Sequence, residues 1–149
     1  CRLAAQASTQ KAWQWWQDAQ RCEASTSAAR MAATRAGLDD FVDREAGLLS
    51  HGQKRQLEIA MCLATHPKVL LLDEPLAGMG AEETDRMLEL LGELRAGHAI
   101  LLVEHDMDAV FRIAERITVM VNGEVIASAA PAAIRADPAV QHAYLGEAH

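Results

Sequence analysis

The sequence predicts an α/β fold in which a mostly parallel sheet with flanking helices is joined to an all-helical subdomain. Three observations point there. Two short aliphatic runs, KVLLLDE and AILLV, flank a segment of helical periodicity, and strand, helix, strand in that order makes a right-handed crossover with parallel strands. The residues up to Ala36 are rich in Ala, Gln and Arg and hold neither Pro nor Gly, as an all-helical segment requires. At 149 residues, 50% hydrophobic and 23% charged, the chain has apolar material for one ordinary core.

Residues 1 to about 36 read as two helices broken near CEASTSAA, where Ser25, Thr26 or Ser27 is placed to cap the second. Within WQWW, Trp13 and Trp16 stand one turn apart, a spacing more often found in local core than on a partner-binding surface. Gly37 and Gly47 bracket a short polar connection, and Ser50 opens a third helix. Ser50 and Gln53 have capping-box spacing; the helix runs to about Thr65 and Pro67 ends it. KVLLLDE, apolar without alternation and bounded by prolines, suits a strand covered on both faces. From about Ala81 to Ala96 a helix puts Met87, Leu91 and Leu94 on one stripe with Leu88 beside them, and Gly97 closes it. AILLV is the second strand. Asp106 caps a short helix, RITVMVNGEVIAS reads as a hairpin about its Asn-Gly turn, and two short helices follow, the second opened by Asp137 and Pro138.

A net charge of −7 and the lack of a basic stripe disfavour a nucleic-acid partner. No apolar run approaches the ~20 residues a membrane-spanning helix needs. Cys1, Cys22 and Cys62 are odd in number and lack metal-ligand spacing, which fits a reducing compartment. Cys rather than Met at the first position is read as a truncated chain in preference to a processed lipoprotein end.

A right-handed crossover places the carboxyl ends of both strands on one edge, where open α/β sheets bind ligands. Asp73 and Glu74 end the first strand and Glu104 and His105 the second, so these four are expected on one rim. The two carboxylates of the first strand differ in reach. One can hold magnesium through its water shell while the other orients a water against a terminal phosphate. A lone Asp-Glu pair is more often a solvated strand end or a helix cap; the aliphatics before it and Pro75 after it favour the chemical reading. His105 is placed to bond a phosphate oxygen or position the attacking water, although an isolated His is more often an ordinary surface or core residue. Ser50, His51 and Gly52 offer backbone amides, a hydroxyl and a helix dipole to an anion, worth ~0.3–1 kcal/mol per charge, or simply make a well-capped helix. The phosphate loop G-x-x-x-x-G-K-[ST] is absent: GLLSHGQK has its frame, but Gln53 and Lys54 stand where Lys and Ser or Thr are required.

In this order and spacing, LLSHGQKRQLEIA, VLLLDEP and LLVEHD closely resemble the ATP-binding cassette ATPases. The resemblance is close over residues 48 to 128 and implies a partial P-loop NTPase fold. Residues 1–65 would form the helical signature subdomain and residues 66–149 the C-terminal part of the ATPase core. It implies that Ser50, His51, Gly52 and Gln53 are the signature that contacts the ATP of the opposite subunit, and that Asp73 is the Walker B magnesium residue. Glu74 would be the catalytic glutamate, Gly78 and Gly80 part of the D-loop, and His105 the switch histidine. His51 replaces the more general Gly of the signature, and Gly80 stands where the D-loop commonly has Asp. LSHGQKRQLEIAM, DEPLAGM, VEHDM and AYLGE are similar to the branched-chain amino acid importers and their relatives for urea or short amides.

The family's front end, with its adenine-stacking aromatic, Walker A loop and glutamine loop, is not in this sequence. The resemblance implies ATP and Mg2+ as ligands, a second cassette subunit in a homo- or heterodimer and transmembrane permease subunits as partners. The protein would lie peripherally on the cytoplasmic face of the inner or plasma membrane. The complete protein would be an ATPase coupled to import, and the isolated chain inactive. The alternative is a non-catalytic interaction module that pairs with another cassette or a membrane subunit. Cassette proteins that act on DNA or ribosomes are disfavoured by the acidic balance and the lack of long heptads.

Overall fold

A computed structural model describes residues 1–9 and 23–146, which divide into two compact units, Cys1–Glu104 and His105–His149. Trp13, Trp16 and Cys22 lie outside the described residues.

The first unit begins with α1 (Arg2–Thr9), α2 (Glu23–Arg35) and α3 (His51–Leu63), and α1 and α2 each contact α3. Ala33, Ala36, Leu38 and Ala60 are buried together, with Phe41, Val42 and Leu57 packed against them. Small side chains at this contact let the helices approach closely, as packed helices require. Ser25, Thr26 and Ser27 lie inside α2 and do not cap it, and Ser25 is fully buried there. α2 ends in a Schellman pair, Leu38 N–H to Ala33 O and Gly37 N–H to Thr34 O, both 2.9 Å. Two 3-10 turns, Asp39–Phe41 and Ala46–Leu48, fill the polar connection to α3.

β1 (Val69–Asp73) pairs in parallel with β2 (Ala99–Val103), from Val69 opposite Ala99 to Asp73 opposite Val103. Between them runs α4 (Ala81–Leu94), whose Met87, Leu88, Leu90, Leu91 and Leu94 are buried on the expected stripe. The strands depart from expectation in one respect. Val69, Leu71, Leu101 and Val103 are 54–73% exposed, so one face of the pair is uncovered among the described residues. Alternate residues point to opposite faces. Only the face carrying Leu70 and Leu72 of β1 and Ile100 and Leu102 of β2 is shielded.

The second unit holds α5 (Met107–Ile113), the antiparallel hairpin β3 (Ile117–Val121) and β4 (Glu124–Ala129), α6 (Pro131–Ala136) and α7 (Pro138–Gly146). Asn122 and Gly123 have φ of 49° and 83°, the two positive values of a tight primed turn. Asp106 caps α5 by accepting from Ala109 N–H at 3.1 Å, and Asp137 caps α7 by accepting from Ala139 N–H at 2.8 Å. Ile117, Ile134 and Val140 form the core of this unit, with Val110 and Phe111 against them.

Candidate functional site

The start of α3 is closed by both arms of a capping box. Ser50 Oγ accepts from Gln53 N–H at 3.2 Å, and Gln53 Oε1 accepts from Ser50 N–H at 2.9 Å. The arrangement satisfies two of the backbone donors that a helix start leaves unpaired. Two longer-range bonds then attach this corner to the chain around α4. Ser50 Oγ–H donates to Glu83 Oε1 at 3.2 Å, and His51 Nε2 lies 3.1 Å from Ala77 O, where it donates.

Glycine leaves room at both touching points, for different reasons. At Gly52, which is buried, a Cβ would come 2.7 Å from Glu83 Oε1. Gly78 has φ of 74°, and a Cβ there would meet His51 Nε2 at 3.3 Å. Gly80, the N-cap of α4, supplies no side-chain cap, as its missing side chain dictates. The loop that precedes α4 is instead held from outside, at Ala77 by His51.

The rim at the end of the parallel pair is built differently. Asp73 is the last residue of β1 and is exposed. Glu74 follows with φ of 43°, a left-handed conformation that a non-glycine residue adopts at a cost. Its backbone holds the turn in place: Glu74 N–H donates to Val103 O at 2.9 Å and Glu74 O accepts from Ala77 N–H at 3.2 Å. Glu104, the residue after β2, accepts from Leu76 N–H through Oε1 at 2.9 Å. The segment from Pro75 to Gly80 is thus tied to β2 by Glu104 and to α3 by His51. His105 is exposed and is the first residue of the second unit.

This arrangement fits a magnesium-bound phosphate better than a protein-held metal. No group of three or more His, Cys, Asp or Glu side chains among the described residues is set to hold a metal ion. A single exposed carboxylate such as Asp73 suits a hard cation that keeps most of its waters and takes its other oxygens from a phosphate. The start of α3 offers a separate anion contact, a hydroxyl and early helical amides at the positive end of the dipole.

Sequence reasoning singled out Ser50, His51, Gly52, Gln53, Asp73, Glu74, Gly78, Gly80 and His105, and the structure joins His51 to the loop of Gly78 and sets Ser50 and Gly52 against Glu83 of α4. It did not find Glu83. That residue reads locally as an acid in the first turn of α4, and no spacing rule links it to Ser50, 33 positions away.

A family profile described as ABC transporter matches residues 2–77, just over half of the 149. The chain belongs to the ABC transporter family. A second profile, described as branched-chain amino acid ATP-binding cassette transporter, matches residues 124–149. The chain is 47% identical over 113 residues to the high-affinity branched-chain amino acid transport ATP-binding protein BraF of Pseudomonas aeruginosa, a match covering 74% of this chain and 44% of that protein. It is likewise 47% identical over 116 residues to LivG of Escherichia coli K12, a protein of the same description, covering 76% of this chain and 46% of LivG. The chain spans less than half the length of these relatives.

The ADP conformation of an ATP-binding cassette of an ABC transporter superposes with a TM-score of 0.81 at 28% identity, covering 98% of this chain and 61% of that one. A nucleotide-free cassette from an ABC transporter gives 0.80 at 28% identity, with 98% and 62% covered. The fold is therefore that of part of an ABC ATPase, a P-loop NTPase fold, with its strand–helix–strand segment and helical lobe as expected.

Proposed function

We propose that the complete protein is the ATP-hydrolysing subunit of an ABC importer for branched-chain amino acids or related small amides. The observation that carries this reading is the single segment Pro75–Gly80, which starts at the Asp73–Glu74 rim and is bonded to the Ser50–Gly52 corner through His51. In this reading the loop ties a contact for one phosphate site to the rim of another.

In this reading residues 1–65 act as the signature subdomain and 66–149 as the later part of the catalytic core. Ser50, His51, Gly52 and Gln53 serve the ATP of the opposite subunit, and Gly78 and Gly80 belong to the loop between the two sites. Asp73 holds Mg2+ through water, Glu74 orients the attacking water, and His105 supports the terminal phosphate. Mg2+ supplies charge neutralisation at the phosphate oxygens. A second cassette subunit and transmembrane permease subunits are the partners. No helix among the described residues is long and apolar enough to cross a membrane, which suits a subunit held peripherally on the cytoplasmic face by its permease.

The test is ATP hydrolysis by the complete subunit reconstituted with its permease. Hydrolysis that rises with the transported amino acid is expected; a complete subunit that neither binds nor hydrolyses ATP overturns the reading. The 149-residue chain, which holds no G-x-x-x-x-G-K-[ST] loop, is expected to bind MgATP no more tightly than about millimolar. A micromolar calorimetric isotherm from the chain alone would contradict that expectation.

A further inference from the structure

The Ser50 hydroxyl has one proton to give, and the structure shows where it goes. A serine hydroxyl is a single donor with two acceptor positions. Ser50 Oγ accepts from Gln53 N–H and donates to Glu83 Oε1. One lone pair and the only proton are therefore engaged, so Ser50 cannot donate to a phosphate oxygen until Glu83 lets go. Gly52 makes this possible, because any side chain there would expel the carboxylate from the corner. Glu83 is half-buried, sits in the first turn of α4 and brings a negative charge to the helix start that an incoming phosphate also seeks.

We propose that Glu83 is a positioning residue that gates the signature serine: it holds the Ser50 proton and guards the start of α3, and it yields when a phosphate takes its place. The inference rests on the reading of Ser50 as a phosphate contact. It goes beyond that reading in assigning a residue of α4 to control how tightly the corner takes nucleotide. A purely structural role for Glu83 predicts the opposite sign. If the carboxylate only braced the corner, removing its charge would loosen the site and weaken nucleotide binding. If it gates the serine, removing its charge strengthens binding, since a neutral acceptor holds the hydroxyl less firmly and no longer repels phosphate.

The test has two arms. In the complete protein carrying Glu74→Gln to suppress turnover, equilibrium ATP binding is compared with and without Glu83→Gln, which keeps the length of the side chain and one acceptor oxygen. The dissociation constant is expected to fall about fivefold, and most of that gain should vanish when Ser50→Ala is added. An unchanged or higher dissociation constant overturns the proposal. In the second arm, inorganic pyrophosphate is titrated into the 149-residue chain and followed at the Gly52 and Gln53 amides by NMR. Glu83→Gln is expected to lower the dissociation constant at those two amides by a similar factor, and equal constants overturn the proposal. The second arm needs no nucleotide, so a complete protein that failed to bind ATP would remove the importer reading while the pyrophosphate comparison still decided the role of Glu83.

Discussion

At the start of α3 two of the hydrogen bonds span only three residues, whereas at the end of β1 the corresponding contacts reach across to β2, as the 28-residue span from Leu76 to Glu104 illustrates. The first region is assembled from its own sequence and then attached to its surroundings. The second exists only after β1 and β2 have paired. This difference explains why Ser50 carries ordinary helix-cap geometry, while Glu74 is held at a φ of 43° between Val103 O and Ala77 N–H. A locally built corner can be loosened without harming the fold. A rim built by pairing couples its chemistry to its strain.

The largest expected effect breaks the rim and leaves the corner intact. In the complete protein, Glu74→Gln should keep ATP binding and lower turnover by roughly 10²–10⁴, because it removes a water-orienting carboxylate without removing phosphate grip. Near-normal hydrolysis by this variant would take Glu74 out of the catalytic role.

Glu104→Leu attacks the same region through its support. It leaves the Leu76 N–H without its acceptor in a partly buried position, at a cost of about 1–3 kcal/mol, whereas Glu104→Gln keeps an acceptor oxygen and most of the stability. Urea unfolding of the two variants side by side is the measurement, and equal midpoints would show that the bond contributes nothing.

Ser50→Ala probes the corner. Losing one arm of the capping box should cost about 1 kcal/mol of stability, within the range for helix caps, with the rim unaffected. A loss well above 2 kcal/mol, read by the same denaturation, would mean that the corner is not the locally built element described above.

The smallest effect has the opposite sign. Glu74→Gly should stabilise the fold by about 0.5 kcal/mol, the ~1–2 kcal/mol relief of a left-handed residue less ~0.5–1 kcal/mol of added chain entropy. The same variant should have no catalytic turnover in the complete protein. A destabilised Glu74→Gly chain would show that the glutamate side chain contributes more to the fold than its backbone costs.

The sequence by itself determined the elements whose signals are local. The capping box at Ser50 and Gln53, the stripe of Met87, Leu88, Leu91 and Leu94, the Asn-Gly turn and the caps at Asp106 and Asp137 all depend on residues a few positions apart. Those interactions are fixed by backbone geometry, so spacing alone exposes them. The parallel order of β1 and β2 was legible too, because the handedness of the crossover leaves one arrangement.

Tertiary structure alone decided the rest. That Ser25, Thr26 and Ser27 lie inside α2 instead of capping it depends on which side chains the helical lobe buries, and Ser25 is among them. The bare face of Val69, Leu71, Leu101 and Val103 was hidden by an unbroken aliphatic run, since composition reports how apolar a strand is and not what lies against each face. The contacts of Ser50 with Glu83 and of His51 with Ala77 join positions 33 and 26 residues apart. No periodicity spans such distances; they arise only when α3 and α4 are brought together and glycines at 52 and 78 leave the space for it.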